Sequence, residues 1–471
     1  VKVHLSAIAG TAMASLAGLL RERGYDVSGS DQDIYPPMST QLEQLGIPVR
    51  SPYAEGNVPA DADVVVVGNA LSRGNPEVEA VLDRKQRMSS LPAMLSEEFI
   101  RGRTSLVVAG THGKTTTTSL LAHILNTAGK DPSFLIGGVP RDFERSYRLG
   151  KGDFFVVEGD EYDSAFFDKR PKFLHYLPDI AIIGNIEYDH ADIYPDLAAV
   201  QRAFVHLMNI VPRRGLVVAG LETPALRELL PRAHSPVETF GLSEGADWRA
   251  INVSVNAKGG WGFTLIKGGK DLGPFTLGLG GEHNLRNALA ATAVANAIGI
   301  PLDTARKAVA SFAGVKRRLE VRGSARGVTV FDDFAHHPTA VRETLRALRA
   351  SAPAGAGRLI AVFEPRSYTS RTRVFQEEFA RAFQDADRIV VSSAHMPGKV
   401  PESQRISEKE LVRAIAELGR DARFVASVDD IVRQLAGDLE EGDRVVVLSN
   451  GGFGGIHDKL LTALAAAPAR G

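Results

Sequence analysis

The stretch 106-LVVAGTHGKTTTTSLLAHIL-125 decides the fold. An apolar run, a glycine turn and a hydroxyl-rich start to an apolar-periodic segment read as a buried strand, a tight turn and a helix. A turn of that make-up crowds backbone N–H groups around an anion, and the helix behind it points its positive end at the same place. Gly110 and Gly113 permit the close approach, Lys114 adds charge, and Thr115 offers a hydroxyl to Mg²⁺. The general phosphate-loop pattern also has a glycine five residues before Gly113, where this chain has Val108. The strand before the turn and Leu120, Leu121, Ile124 and Leu125 after it restore the reading. His112 stands open between facing a ligand and facing solvent.

Outward from that stretch, strand-like and helix-like runs alternate, which implies parallel sheets covered on both faces. Before it, 3-VHLSAIAG-10, 25-YDVSGSD-31 and 63-DVVVVGNA-70 read as strands, with helices over 12–24 and 75–85. Asn75 can cap the second of these helices, and Pro76 sits near its start. We assign 1–101 to a first domain. A second, 102–315, contains the phosphate loop, the strands 153-DFFVV-157 and 180-IAIIGNI-186, and a helix over 281–299. Its glycine-rich part from about 235 to 280 reads as antiparallel hairpins. A third domain, 316–471, carries strands in 328-VTVFDDFAHHP-338, 358-RLIAVFEPRS-367, 388-RIVVSSAH-395, 423-RFVAS-427 and 443-DRVVVLSNGG-452. The small-residue stretches 350–357 and 463–471 read as a loop and a frayed end.

At 471 residues, two to four domains are the prior. Lysine plus arginine (55) nearly cancels aspartate plus glutamate (56), so no overall basic field draws the chain to nucleic acid or anionic lipid. The absence of cysteine removes disulfides, thiolate metal sites and thiol nucleophiles, and suits a reducing cytoplasm. No apolar run approaches the roughly 20 residues that span a bilayer, and 1-VKVHLSAIAG-10 lacks the basic start and long apolar core of a signal peptide. These features lead us to expect a cytoplasmic protein with no membrane insertion.

A nucleotide site also needs carboxylate for Mg²⁺, and open α/β sheets place ligands at the carboxyl ends of strands. Glu158, Asp160, Glu161 and Asp163 follow one strand there, and Asp189 and His190 follow another. Taken alone the acids read as the solvated rim of a loop, but the phosphate loop beside them favours the metal-binding reading; His190 stands open between a ligand and a packed or exposed imidazole.

The combination of 110-GTHGKTT-116, 158-EGDEYD-163, 185-NIEYDH-190 and 282-EHNLRNALAA-291 resembles the Mur ligase family in order and spacing. The resemblance spans the chain. It implies a Rossmann-like UDP-binding domain, a central P-loop ATPase-like α/β domain, a C-terminal Rossmann-like domain, and ATP-dependent amide ligation with Mg²⁺. It further implies catalytic roles for Lys114, Glu158 and His190, with Thr115, Glu158 and His190 holding metal. ATP would be bound by Gly110, Thr111, His112, Gly113, Lys114, Thr115 and Thr116, by Asn284 and Asn287 at the adenine, and by Arg318 and Asp333 from the third domain. Ala9, Gly10, Thr11 and Asp31 would cradle the UDP part. The region 197-LAAVQRAFVHLMN-209 lacks the lysine that some members carbamylate, as the muramate-accepting branches do.

Two such branches exist, one joining L-alanine to UDP-N-acetylmuramate and one joining the tripeptide L-alanyl-γ-D-glutamyl-meso-diaminopimelate during cell-wall recycling. The segments 34-IYPPMSTQLEQLGI-47, 331-FDDFAHHPTAV-341, 363-FEPRS-367 and 449-SNGGFGGIHDKLL-461 resemble the tripeptide branch. The alanine branch shows DDYGHHP where this chain has 332-DDFAHHP-338, and a histidine-arginine pair where Arg366 and Ser367 stand. The resemblance therefore implies a remodelled acceptor pocket at Phe334, His336, His337, Arg366 and Ser367, with muropeptides as partners. His336 and His337 are candidates for the base that frees the attacking amine, and as a pair they read equally as structural.

Two other classes fit parts of the sequence. A nicotinamide oxidoreductase fits the opening strand, turn and helix with Asp31 beyond, but 7-AIAGTA-12 has one glycine where the dinucleotide fingerprint has three. An ATP-hydrolysing regulator fits the phosphate loop, against the intact set of Lys114, Thr115, Glu158 and His190.

Overall fold

Thr104–Ala109 is a strand buried along nearly its whole length, flanked in parallel by Ile180–Ile183 on one side and Phe154–Gly159 on the other. It lies inside a ten-stranded sheet. The computed structural model describes residues 1–466 apart from 33, 35–37, 257–258 and 354. Parts of the segments 34–47, 251–266 and 350–357, and the tail beyond 466, thus lie outside the described residues.

The first sheet is five parallel strands with Lys2–Ser6 at its centre, between Asp26–Ser30 and Val64–Val67. Val49–Arg50 and Met88–Ser90 complete its edges. Helix Pro76–Asp83 starts as its sequence predicts, with Asn75 Oδ1 accepting from Glu77 N at 3.0 Å. Glu77 is wholly buried and accepts from Ser6 Oγ at 2.6 Å, from Asn57 Nδ2 at 2.9 Å and from Ser30 Oγ. Burial alone would raise its pKa. His4 and these donors outweigh burial and hold the carboxyl at about 2.

The third sheet has six strands, with Val328–Asp333, Arg444–Leu448, Leu359–Phe363, Arg388–Val391 and Asp421–Phe424 running in parallel. An antiparallel edge strand, Glu320–Ala325, is added to it. Its strands alternate with helices that cover both faces with separate apolar clusters.

Two expectations need correction. The glycine-rich segment is not wholly antiparallel: Val237–Gly241 runs parallel to Leu216–Gly220, and Trp248–Val255 begins parallel to it. Only the meander of Trp248–Val255, Trp261–Lys267 and Lys270–Leu277 is antiparallel, and it extends the central sheet. The stretch expected to fray from 463 is helical to Ala466, because Leu460 and Leu464 are fully buried against the third sheet.

The first and second bodies share one continuous apolar cluster. Helix Thr11–Glu22 lies so close to Tyr147 that a Cβ on Gly18 would stand 2.2 Å from the ring.

Candidate active site

The phosphate loop is held open by its neighbours. Gly110 and Gly113 have φ of +127° and +83°, the left-handed region glycine enters freely. A side chain at Gly113 would also meet Asn287 Oδ1 at 2.6 Å. Asn185 ties the loop down: its Oδ1 accepts from His112 N at 2.8 Å and its carbonyl from Thr111 N at 3.1 Å. Helix Lys114–Thr127 then starts at the loop.

Lys114 Nζ donates to Gly110 O at 2.7 Å and to Glu161 Oε2 at 2.9 Å. Burial would depress its pKa, yet the charges of Glu161 and Asp160 outweigh that and hold it above the ordinary lysine value. Glu161 Oε1 faces His190 Nε2 at 3.0 Å, so one carboxylate joins the lysine and the imidazole. Glu161 is held below the usual carboxylate range, against burial, by Lys114 and His190; His190 is held above its ordinary value by the same partnership, also against burial. His190 adopts φ of +55°, a strained conformation for a non-glycine residue that aims its ring back at this cluster.

Thr115 Oγ1 donates to Glu158 Oε1 at 2.9 Å, and Glu158 Oε2 accepts from Gly137 N at 2.7 Å. A hydroxyl and a carboxylate in contact at the head of the loop form a hard-oxygen donor set that fits Mg²⁺. Asp160, Glu161 and His190 bring a second group of metal-competent atoms together. Asp160 is bonded by Lys172 at 2.7 Å.

From the third body, Arg318 reaches Thr115 Oγ1 at 3.5 Å and lies over the Phe334 ring at 5.1 Å. Asn284 and Asn287 are bonded to each other at 3.2 Å, beside the loop. Asp333 is nearly buried, with its oxygens engaged by Leu319 N at 2.7 Å and Ala335 N at 2.9 Å. His336 Nδ1 faces its own turn at Phe334 O, 2.9 Å away, and burial lowers its pKa. His337 accepts on Nδ1 from Thr339 N at 3.3 Å, which caps helix Pro338–Ala350, and burial and His112 push its pKa down to about 4.

Most of these groups, though not Gly110 or Glu161, line one cavity of about 1140 Å³, bounded by all three bodies. Thr111 to Thr116, Glu158, His190, Asn284, Asn287, Arg318, Asp333, Phe334, His336, His337 and Ser367 all reach it. Arg366 does not: its guanidinium packs onto Gly451 and pairs with Glu364 at 3.6 Å. Ala9, Gly10 and Thr11 form the strand-to-helix turn of the first sheet, where Ala9 N donates to Asp31 Oδ2 at 2.8 Å. They lie apart from the cavity lining, to which that body contributes Ala12 and Leu91.

Sequence reasoning weighed Glu161 with its acidic neighbours without giving it a role, and passed over Asn185 and Glu187 inside a quoted motif. The signal for all three is position: each lies within a few residues of the carboxyl end of a strand flanking Thr104–Ala109.

A phosphate loop facing hard-oxygen donors, inside a cavity closed by two further α/β bodies, defines a nucleotide-dependent enzyme of three-domain construction. The chain matches three descriptions of one family: the Mur ligase family, catalytic domain, over residues 2–102; the Mur ligase middle domain over 108–295; and the Mur ligase, glutamate ligase domain, over 317–451. It belongs to the Mur ligase family. It is 42% identical over 467 residues to the UDP-N-acetylmuramate–L-alanyl-γ-D-glutamyl-meso-2,6-diaminoheptandioate ligase of Escherichia coli K12, covering 99% of this chain and 98% of that one. To the UDP-N-acetylmuramate–L-alanine ligase of Myxococcus xanthus it is 38% identical over 478 residues, 99% of this chain and 96% of that one. Among solved structures, a murein peptide ligase from Psychrobacter arcticus superposes with TM-score 0.74 at 38% identity, each chain covered completely.

Proposed function

We propose that this chain joins L-alanyl-γ-D-glutamyl-meso-diaminopimelate to UDP-N-acetylmuramate at the expense of ATP, in the cytoplasm, as a step of peptidoglycan recycling. The observation that carries this reading is the full-length identity to a ligase of that name, with the phosphate loop, Glu158 and His190 converging on one cavity. Residues 1–101, 102–315 and 316–471 then act as UDP-sugar, ATP and acceptor domains, and Ala9, Gly10, Thr11 and Asp31 receive the UDP part.

A carboxylate resists attack by an amine because its oxygen is a poor leaving group. Transfer of the γ-phosphoryl group from ATP to the muramate carboxylate gives an acyl phosphate and ADP. The peptide's α-amine attacks the carbonyl carbon, its proton is taken up, and inorganic phosphate departs. Lys114 and the amides around Gly113 hold the β- and γ-phosphates and stabilise the charge that spreads during transfer. Asn284 and Asn287 face the adenine. Arg318 reaches the phosphates or ribose from the domain junction, and Asp333, whose Oδ2 accepts only from Leu319 N and keeps a lone pair, meets the ribose. Thr115, Glu158 and His190 would hold Mg²⁺, which when bound neutralises the phosphates.

His336 is the better candidate for the base. Its burial keeps it neutral at pH 7, whereas His337 is committed to capping a helix. Phe334 and Ser367 form part of the acceptor wall, and Arg366 supports that wall from behind.

The test is an acceptor panel with phosphate release as readout. The tripeptide is expected to support turnover far better than L-alanine; equal or better turnover with L-alanine would move the chain to the alanine branch, whose members are also full-length relatives.

A further inference from the structure

Between Asn185 and His190 lies a segment whose contacts the chemistry above does not use. Three successive residues of the central domain each accept a hydrogen bond from the C-terminal domain. Thr339 Oγ1 donates to Glu187 Oε2 at 2.6 Å, His337 Nε2 to Tyr188 O at 3.2 Å, and Thr369 Oγ1 to Asp189 Oδ1 at 2.6 Å. The middle bond requires the proton on Nε2, the tautomer that also leaves Nδ1 free to accept from Thr339 N. Asp189, His337 and Thr369 are all buried, so separating the two domains here strands buried polar groups until water reaches them.

The same segment is built into the phosphate loop. Glu187 N donates to Thr111 Oγ1 at 2.9 Å, and Glu187 Oε2 stands 3.3 Å from His112 Nε2. That one carboxylate oxygen therefore touches the phosphate loop on one side and helix Pro338–Ala350 on the other. Burial would raise the Glu187 pKa, but His112 and Thr339 hold it at about 2, so it accepts as a full carboxylate at neutral pH.

We propose that residues 187–189 are a docking strip coupling the phosphate loop to the C-terminal domain, with Glu187 as its positioning residue. Filling the loop fixes Thr111 and His112, these fix the Glu187 carboxylate, and the carboxylate sets Thr339 and the helix behind the His336 wall. Thr369, bonded to Asp189, anchors the Ser367 turn in the same movement. The ligase reading enters only in what that wall receives.

The chain has no cysteine, so dyes on Arg202→Cys and Ala416→Cys, both exposed and one on each domain, report closure without background labelling. At saturating non-hydrolysable ATP analogue, Glu187→Ala and Thr339→Val are each expected to lower the closed-to-open ratio about ten-fold. The double variant should fall no further than the worse single, because residues in direct contact share one interaction. Losses that multiply towards about a hundred-fold, or an unchanged ratio in either single, overturn the coupling. Thr339→Val keeps the side-chain shape, and an unchanged melting temperature separates a lost contact from a damaged fold. In ligation assays both singles are expected to raise KM for the peptide and spare KM for UDP-N-acetylmuramate; equal rises in both overturn the proposal. A wild-type chain that closes on nucleotide but never ligates sinks the ligase reading and leaves the coupling intact.

Discussion

Lys114 is the residue on which the phosphate chemistry turns, and its neighbours define what its loss does. In Lys114→Ala, Glu161 keeps His190 as a partner, so the fold is expected to survive while ligation falls by about 10³-fold or more. Affinity for UDP-N-acetylmuramate should stay within about two-fold, measured by calorimetry; a variant at full speed removes Lys114 from the site. Glu77 gives a test through pH. Its folded pKa of about 2 lies below the ordinary carboxylate value of 4.5, so its contribution to stability is complete above pH 4.5 and disappears as pH falls towards 2. A gap of that size corresponds to about 3 kcal/mol. Hydrogen exchange of the Lys2–Ser6 strand is expected to quicken in Glu77→Gln at pH 6, with the difference from wild type closing on acidification. At this scale the sequence was generous where chemistry is local: the loop from Gly110 to Thr116, Glu158 and His190 could be picked out by residue type and spacing. Glu161 and Glu187 could not be given roles, because their partners lie 47 and 152 residues away.

Elements were legible where period and cap agree, as at Asn75 and Pro76, and less so where tertiary pairing decides. Val237–Gly241 pairs in parallel because it follows a helical crossover from Leu216–Gly220, a relation its own composition does not carry. The end of the last helix, from 463 to Ala466, reads as a loose end because its alanines hide the buried Leu464. Packing can also reverse a propensity. An alanine replacing a mid-helix glycine ordinarily stabilises by about 0.5–1 kcal/mol. At Gly18 the new methyl would meet Tyr147 at 2.2 Å, so Gly18→Ala is expected to lower the melting temperature. Adding Tyr147→Leu should recover part of the loss, and a stabilised single variant would refute the contact.

For the molecule as a whole, the three large sheets matter less for their individual shapes than for what they enclose. The cavity is complete only with all three bodies in place, and its residues come from segments spread over most of the chain. A site so assembled is expected to keep its anhydride chemistry idle until every substrate is present: phosphate release without peptide should run below about one hundredth of the ligation rate. Brisk release with nucleotide alone would point instead to an ATP-hydrolysing regulator. The resting partnership of Lys114 with Glu161 makes nucleotide entry an exchange of one anion for another. A bare ammonium loses attraction steeply as ionic strength rises, whereas a swap that conserves the number of ion pairs is nearly indifferent to it. Titrations of an ATP analogue between about 0.05 and 0.5 M potassium chloride should therefore give a shallow slope, and Glu161→Gln a steep one.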